Sequence, residues 1–227
     1  DLIRDQNLLN EIISKVDFVA HLAAIVGESA CKINPEDSKS INVQGTKNII
    51  HSCMENKIKR LIFVSTCSSY GVQDTRIMAK EDTPLNPVSL YAETKISMEE
   101  YLKKNYDSEL SYTILRPSTV HGPSPRMRFD LIVNHFVKDA VLQGKLDIFG
   151  GDMWRPLMWV GEFGRSIDKI LSSDLKLIKN QIFNLGNTKD NRKKKEVAEI
   201  IKKNFIPELK IKYSGDDKDL RSYKVDF

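Results

Sequence analysis

Arg60-Leu61-Ile62-Phe63-Val64-Ser65-Thr66 is an apolar run that ends in two hydroxyls, with Cys67-Ser68-Ser69-Tyr70-Gly71 directly behind it. The run reads as a strand that delivers Thr66 to its C-terminal end. In open parallel sheets, ligands bind along that edge. Downstream, Tyr91-Ala92-Glu93-Thr94-Lys95 sets a phenol and an amine four residues apart, which on a helix puts both on one face. A phenol titrates near ~10 in water and serves as an acid or base near neutral pH only when a cation stabilises the phenolate. Lys95 is the cation at hand. A helix with an exposed lysine and a half-buried tyrosine is the plainer reading of that pair alone; the hydroxyl-bearing strand upstream turns it into a candidate site.

Outward from this pair, helix and strand signals alternate, the pattern of a doubly wound α/β sheet. Asn7–Lys15 reads as a helix, Phe18–Leu22 as a strand, Ser38–Asn56 as a long helix, Ser89–Asn105 as the helix bearing Tyr91, and Tyr112–Arg116 as a strand. The polar, proline-bearing stretch Gln73–Pro87 reads as a surface loop that roofs the site. After Gly122-Pro123-Ser124-Pro125 the character shifts: Phe129–Gln143 suggests a helix, Leu146–Phe149 and Leu157–Val160 short strands, Gln181–Leu185 another strand and Lys193–Asn204 a last helix. Two parts are expected, 1–123 and 124–227, with strands of the second returning to the sheet of the first.

The chain has 227 residues, enough to bury a substantial core, and its hydrophobic content of 41% argues against disorder. No apolar run approaches the roughly 18 residues of a membrane span, and no signal-peptide pattern opens the chain, so a cytoplasmic protein is expected. Cys31, Cys53 and Cys67 are spaced for neither zinc nor a disulfide framework and read as reduced thiols, and no metal site is expected. The net charge of +4 is modest, and the basic run Arg192-Lys193-Lys194-Lys195 has no interleaved aromatics. It reads as a solvated helix start rather than a nucleic-acid patch.

Six stretches, in order, resemble the extended short-chain dehydrogenase/reductases, specifically the NAD-dependent epimerase/dehydratase family. Asp17-Phe18-Val19-Ala20-His21-Leu22-Ala23-Ala24 is similar to the family's D-x-V-x-H-L-A-A strand, and Asn42-Val43-Gln44-Gly45-Thr46 to its N-V-x-G-T helix. Leu61 to Gly71 matches its hydroxyl-bearing strand, and Pro87-Val88-Ser89-Leu90-Tyr91 with Lys95 its P-x-S-x-Y-x-x-x-K segment. Leu115-Arg116-Pro117 through Gly122-Pro123 resembles L-R-P-x-x-V-Y-G-P, and Ile182-Phe183-Asn184-Leu185-Gly186 the late F-N-x-G strand. The resemblance implies a Rossmann-like sheet with a small C-terminal lobe that holds a nucleotide-diphosphate sugar, and NAD as cofactor with NADP open. The family opens with a strand and G-x-x-G-x-x-G, an element that the 227 residues do not contain. Asp1-Leu2-Ile3-Arg4-Asp5 resembles the G-D-I-R-D segment after the family's third strand, so the chain is expected to lack the first βαβαβ unit and to bind NAD poorly by itself.

Residue by residue, the resemblance implies catalytic roles for Thr66, Tyr91 and Lys95. It implies cofactor contacts from Asp1, Leu2, Leu22, Ala23, Ala24, Asn42, Val64, Ser65, Tyr91, Lys95, Pro117 and Val120. For Asn42, a backbone-bonding structural role is an equal alternative. Substrate contacts are implied for Thr66, Ser68, Arg126, Arg128, Asn134, Arg155 and Arg221, the arginines because their fork matches phosphate oxygens. Plain surface arginines are the alternative at 126 and 128. Family 4,6-dehydratases carry an acidic pair where this chain has Cys67 and Ser68, and family 3,5-epimerases a cysteine where it has Ser68, which leaves 4-epimerisation or 4-keto reduction. A non-catalytic relative that binds protein or RNA, and a reductase of a non-sugar carbonyl, are the competing readings. Trp159-Val160-Gly161-Glu162 departs from the family's H-V-D-D, and His121 from the tyrosine of V-Y-G-P. The resemblance implies a homodimer through a four-helix bundle of Ser38–Asn56 and Ser89–Asn105, with Ile41, Ile49, Ile50, Cys53 and Leu102 as apolar surface on these helices, although burial in the chain's own core explains some of them equally well.

Overall fold

A computed structural model of the protein describes residues 5–106, 109–215 and 221–227. The chain runs through α1 (Gln6–Ile13), β1 (Phe18–His21), α2 (Glu28–Ile33), α3 (Pro35–Lys39), a π-helical turn at Ser40–Gly45, α4 (Thr46–Glu55) and β2 (Arg60–Val64). It continues through α5 (Leu90–Asn105), β3 (Ser111–Pro117), β4 (Thr119–His121), α6 (Ile132–Gln143), β5 (Lys145–Phe149) and β6 (Trp154–Trp159). Last come α7 (Val160–Ser172), α8 (Leu175–Ile178), β7 (Gln181–Leu185), β8 (Asn191–Lys193), α9 (Lys194–Asn204) and β9 (Lys210–Ser214). The described residues fall into two compact units, the first drawn from 1–69, 87–116 and 165–183, the second from 70–86, 117–164 and 184–227. The first unit thus draws on chain from both sides of residue 123. No helix among the described residues is long and apolar enough to cross a membrane.

The first unit is built on a four-stranded sheet in the order β1-β2-β3-β7, with β1 parallel to β2 and β2 parallel to β3. This is the Rossmann-like arrangement of the α/β class. β2 carries Leu61, Ile62 and Phe63 buried in succession, as expected of a strand covered on both faces. Ser89 starts α5: its side chain accepts from Ala92 N at 3.3 Å, satisfying one of the free amides of the first turn. The core gathers Ile13, Leu61, Phe63, Met98 and Ile114 with Ile49, Ile50, Cys53 and Leu102. Of the two readings of those last four, dimer surface and the chain's own core, the core is the one they take, because α4 and α5 turn their apolar stripes onto the sheet. Ile41 is half-buried.

The expected helix Ser38–Asn56 differs in form. It starts earlier, at Pro35, where proline suits the first helical position and Asn34 caps it by accepting from Asp37 N at 3.2 Å. It then widens into the π turn before α4. α2 has no counterpart in the sequence reading. The last residue of α2, Ile33, is 85% exposed, so this six-residue helix presents no clean apolar stripe to read.

The second unit holds a three-stranded sheet in the order β4-β6-β8 and a parallel pair, β5 with β9. α6 begins at Ile132 rather than Phe129 and closes at Gly144 with φ of 64°, the left-handed turn that glycine adopts freely. Phe136, Ala140, Leu146, Ile148, Val197 and Ile201 form its core. The stretch Gln73–Pro87 has no helix or strand, but within it Ala79 is pinned to the C-terminal segment by Ala79 N to Lys224 O at 2.8 Å and Asp226 N to Ala79 O at 2.9 Å.

Gly122 has φ of +121°, and a Cβ there would lie 2.9 Å from Trp159 Cδ1 and 3.0 Å from Val160 Cγ1. Strained backbone and overpacking then act together. Gly122→Ala is expected to lower unfolding stability by roughly 1–3 kcal/mol, read from the urea midpoint at constant slope.

Candidate functional site

α5 buries an unusual face. Tyr91, Lys95 and Glu99 follow one another at intervals of four residues, and all three are buried beside Met98 and Leu102. Lys95 is 3% exposed and its Nζ donates to Val64 O at 2.7 Å, with the Phe63 ring centroid 4.9 Å away. That one bond sets the Tyr91-Lys95 face against the C-terminal end of β2, two residues before Thr66. Burial pulls the Lys95 amine down to about 8, and the charge of Glu99 partly offsets it.

The end of β2 is itself well held. Ser65 N donates to Leu115 O at 2.7 Å, and Ser65 Oγ donates to Glu99 Oε1 at 2.5 Å. Thr66 is buried, and its Oγ1 accepts from Ser68 N at 3.0 Å, which leaves the hydroxyl proton to donate elsewhere. Ser68 is half-buried. Cys67 is fully buried with its thiol 3.0 Å from Arg116 O, so it packs rather than reacts.

Of the expected cofactor contacts, Leu22 and Ala23 are exposed just beyond β1, and Ala24 is half-buried. Asn42 takes the structural role: its Oδ1 accepts from Ile25 N at 2.7 Å and its Nδ2 donates to Ile25 O at 3.0 Å and towards Thr94 Oγ1 at 3.3 Å. The side chain therefore pins the segment carrying Ala23 and Ala24. Small, exposed residues on a pinned strand end fit a dinucleotide ribose. The glycine-rich cradle for a pyrophosphate is absent from the sequence. Asp1 and Leu2 lie outside the described residues, as do Asp219 and Leu220 beside Arg221.

In the second unit Pro117 and Val120 are half-buried. Arg155 is buried, and its Nη1 donates to Trp154 O at 2.8 Å and also to Arg221 O, so it fastens the C-terminal segment to β6. Arg126 is exposed. The guanidinium of Arg128 forks onto Asp130, Nη2 to Oδ2 at 2.5 Å and Nε to Oδ1 at 3.1 Å. Asn134 bridges its own loop, accepting from Gly122 N at 3.2 Å and donating to Arg128 O at 3.1 Å. No group of three or more His, Cys, Asp or Glu able to hold a metal ion occurs among the described residues.

The family model for the NAD dependent epimerase/dehydratase family matches residues 2–186. The chain belongs to that family. It is 31% identical over 166 residues to an uncharacterized UDP-glucose epimerase of Bacillus subtilis, covering 72% of this chain and 51% of that one. To a putative UDP-glucose 4-epimerase of Methanocaldococcus jannaschii it is 30% identical over 204 residues, covering 88% and 65%. The crystal structure of a Thermotoga maritima UDP-glucose 4-epimerase with UDP-glucose superposes with a TM-score of 0.86 at 25% identity, over 99% of this chain and 74% of that one. The chain spans about half to two thirds of the length of the two curated relatives.

Two residues of this family member went unread in the sequence. Glu99 lies four residues past Lys95 and eight past Tyr91, and that spacing was the available signal. His21 ends β1, fully enclosed. Thr46 Oγ1 donates to Asn42 O at 2.7 Å, so the 2.9 Å contact between His21 Nε2 and Thr46 Oγ1 must use the proton on Nε2. Burial, with the nearby Lys95 charge, holds the imidazole down at about 3, against an ordinary 6.5.

As pH falls below 6.5, the unfolded chain takes a proton on this histidine that the folded chain refuses, so stability drains away towards pH 3. His21→Gln is expected to flatten the loss between pH 6.5 and 4 by on the order of 1–3 kcal/mol, measured by denaturant titration at each pH. Parallel pH curves for the two proteins would contradict the assignment.

Proposed function

We propose that this chain carries the chemistry of an NAD(P)-dependent nucleotide-sugar 4-epimerase or 4-keto reductase, with Tyr91, Lys95 and Thr66 as its catalytic residues. The observation that carries the reading is the hydrogen bond from Lys95 Nζ to Val64 O. It puts a buried cation on the tyrosine face and fixes that face to the strand end that bears Thr66. A fold kept only for binding protein or RNA gains nothing from burying a lysine at that position, where desolvation opposes the charge. Family membership and relatives named as UDP-glucose epimerases support the sugar-nucleotide class over a non-sugar carbonyl.

In this reading Tyr91 exchanges a proton with the hydroxyl of the reacting sugar carbon, and Lys95 supplies the cation beside the phenol. Thr66 donates its free hydroxyl proton to the same oxygen. Ala23 and Ala24, pinned through Asn42, would hold the cofactor's ribose, with Val64 and Ser65 as further cofactor contacts. NAD(P), when bound, would supply the hydride chemistry. The uncharged Cys67 and Ser68 leave no acid and base for eliminating water. Arg155 and Arg221 serve the substrate diphosphate, with Arg126 and Arg128 as further candidates; Arg128 would have to release Asp130 to do so.

The test has two arms. Titrated by calorimetry, the 227-residue chain is expected to give no heat with NAD, because no glycine-rich loop is present to hold the pyrophosphate. Fused behind the glycine-rich unit of a relative, it is expected to turn over UDP-glucose or a related UDP-sugar, and Tyr91→Phe to cut that turnover by ~10² to 10⁴ while NAD still binds. Turnover within a factor of a few of the parent fusion would remove Tyr91 from the mechanism.

The same reading expects a homodimer through the outward faces of α4 and α5. There the ring of Tyr101 takes Lys47 Nζ at 4.9 Å from its centroid, and its hydroxyl meets His51 Nε2 at 2.6 Å. Sedimentation of the fusion at micromolar concentration is expected to give a dimer that Tyr101→Glu dissociates. A monomeric parent would end that proposal.

A further inference from the structure

We infer that Glu99 is a positioning residue of the Tyr91-Lys95-Thr66 site: its buried carboxylate ties the end of β2 and Arg116 of β3 to the helix face that carries Tyr91 and Lys95. The inference rests on the function proposed above but is tested separately from it.

Glu99 has no exposed surface and Arg116 is 2% exposed. Arg116 Nη2 meets Glu99 Oε2 at 2.6 Å and Arg116 Nε meets Oε1 at 3.1 Å, a two-pronged pair with the geometry that a guanidinium fork favours. The remaining capacity of Oε1 is taken by Ser65 Oγ. One carboxylate therefore joins α5, β3 and the segment that runs from β2 to Thr66. Ser65, the residue it grips just past β2, precedes Thr66, and Val64, two before Thr66, receives the Lys95 amine.

The charges follow the same design. Tyr91 and Glu99 lie on Lys95's own helix face, and Arg116 reaches Glu99 from β3. β2 offers the Val64 carbonyl and the Phe63 ring, and the two residues just past it, Ser65 and Thr66, offer hydroxyls, none of which titrates near neutrality. β1 offers His21, which is uncharged until about pH 3. Glu99 is thus the anion that supports the Lys95 cation, while Arg116 takes up enough of its charge that the face keeps a net positive character. With Lys95 at about 8, that support decides whether the amine is still charged when the phenol needs it.

The experiment is a pH titration of the Lys95 Cε and Nζ resonances by NMR in the 227-residue chain, with no cofactor or turnover required. In Glu99→Gln the midpoint is expected to fall by roughly one unit below the parent's. In Arg116→Lys, which keeps the charge and loses the fork, the midpoint is expected to stay within a few tenths of the parent. Should Glu99→Gln fail to fold, Glu99→Asp keeps the charge but withdraws it by one methylene, and a smaller fall in the same direction is expected. A folded Glu99 variant whose Lys95 midpoint equals that of the parent overturns the inference. Loss of turnover in the fusion with normal titrations would instead count against the catalytic reading.

Discussion

A lysine amine buried to 3% exposure is the constraint from which the first unit is arranged. An ammonium taken out of water has lost its hydration, and the fold returns only part of it, through the Val64 carbonyl, the Phe63 ring and the charge of Glu99. Glu99 in turn cannot lie uncompensated in the interior, which brings in Arg116 and Ser65. Such a pair contributes little net stability against an apolar replacement, yet deleting one partner strands the other, at a cost of about 3–5 kcal/mol. It acts as a register device: β2, β3 and α5 can meet in this core only with these three side chains aligned.

That arrangement explains which parts of the molecule were legible beforehand. β2 and the Tyr91 helix were readable because a doubly covered strand is continuously apolar and a capped helix carries a serine at its start. Thr66, Tyr91 and Lys95 stood out as chemistry at strand ends and helix spacing. Glu99 did not, because a glutamate among lysines and glutamates on a helix looks solvated; only the sheet packed on that face makes it interior. The π turn at Ser40–Gly45 was equally hidden; it holds Asn42, whose side chain pairs with Ile25. α7 and β9 went unread although both carry a pattern: Val160, Phe163, Ile167 and Ile170 recur at helical spacing, and Ile211 and Tyr213 alternate with Lys210 and Lys212.

The asparagines repay comparison across the two units. Asn42 pairs with both the amide and the carbonyl of Ile25, as a neighbouring strand would. Asn191 does the same to Val225, accepting from its amide at 2.9 Å and donating to its carbonyl at 2.8 Å. Each amide side chain substitutes for a missing backbone partner and fixes a segment that no sheet captures. Arg155 follows the same logic with Arg221 O. Its buried guanidinium is part of the scaffold of the C-terminal segment, so any anion it meets would be met by a donor already oriented.

The departures at Trp159 and Gly161 reduce to a single change. A Cβ at Gly161 would lie 2.4 Å from Trp159 Cζ3 and 2.5 Å from its Cη2, so the indole occupies the space where any larger residue would begin. The same ring closes on Gly122, where the absence of a Cβ leaves room for it. The family's aspartate at position 161 and this tryptophan at position 159 therefore exclude each other unless the ring turns away. The lost aspartate was not sacrificed for nothing local: α7 still forms from Val160, continuing directly from β6, and the indole takes the volume. A sequence reader sees two unrelated losses there; the packing makes the glycine the condition for the tryptophan.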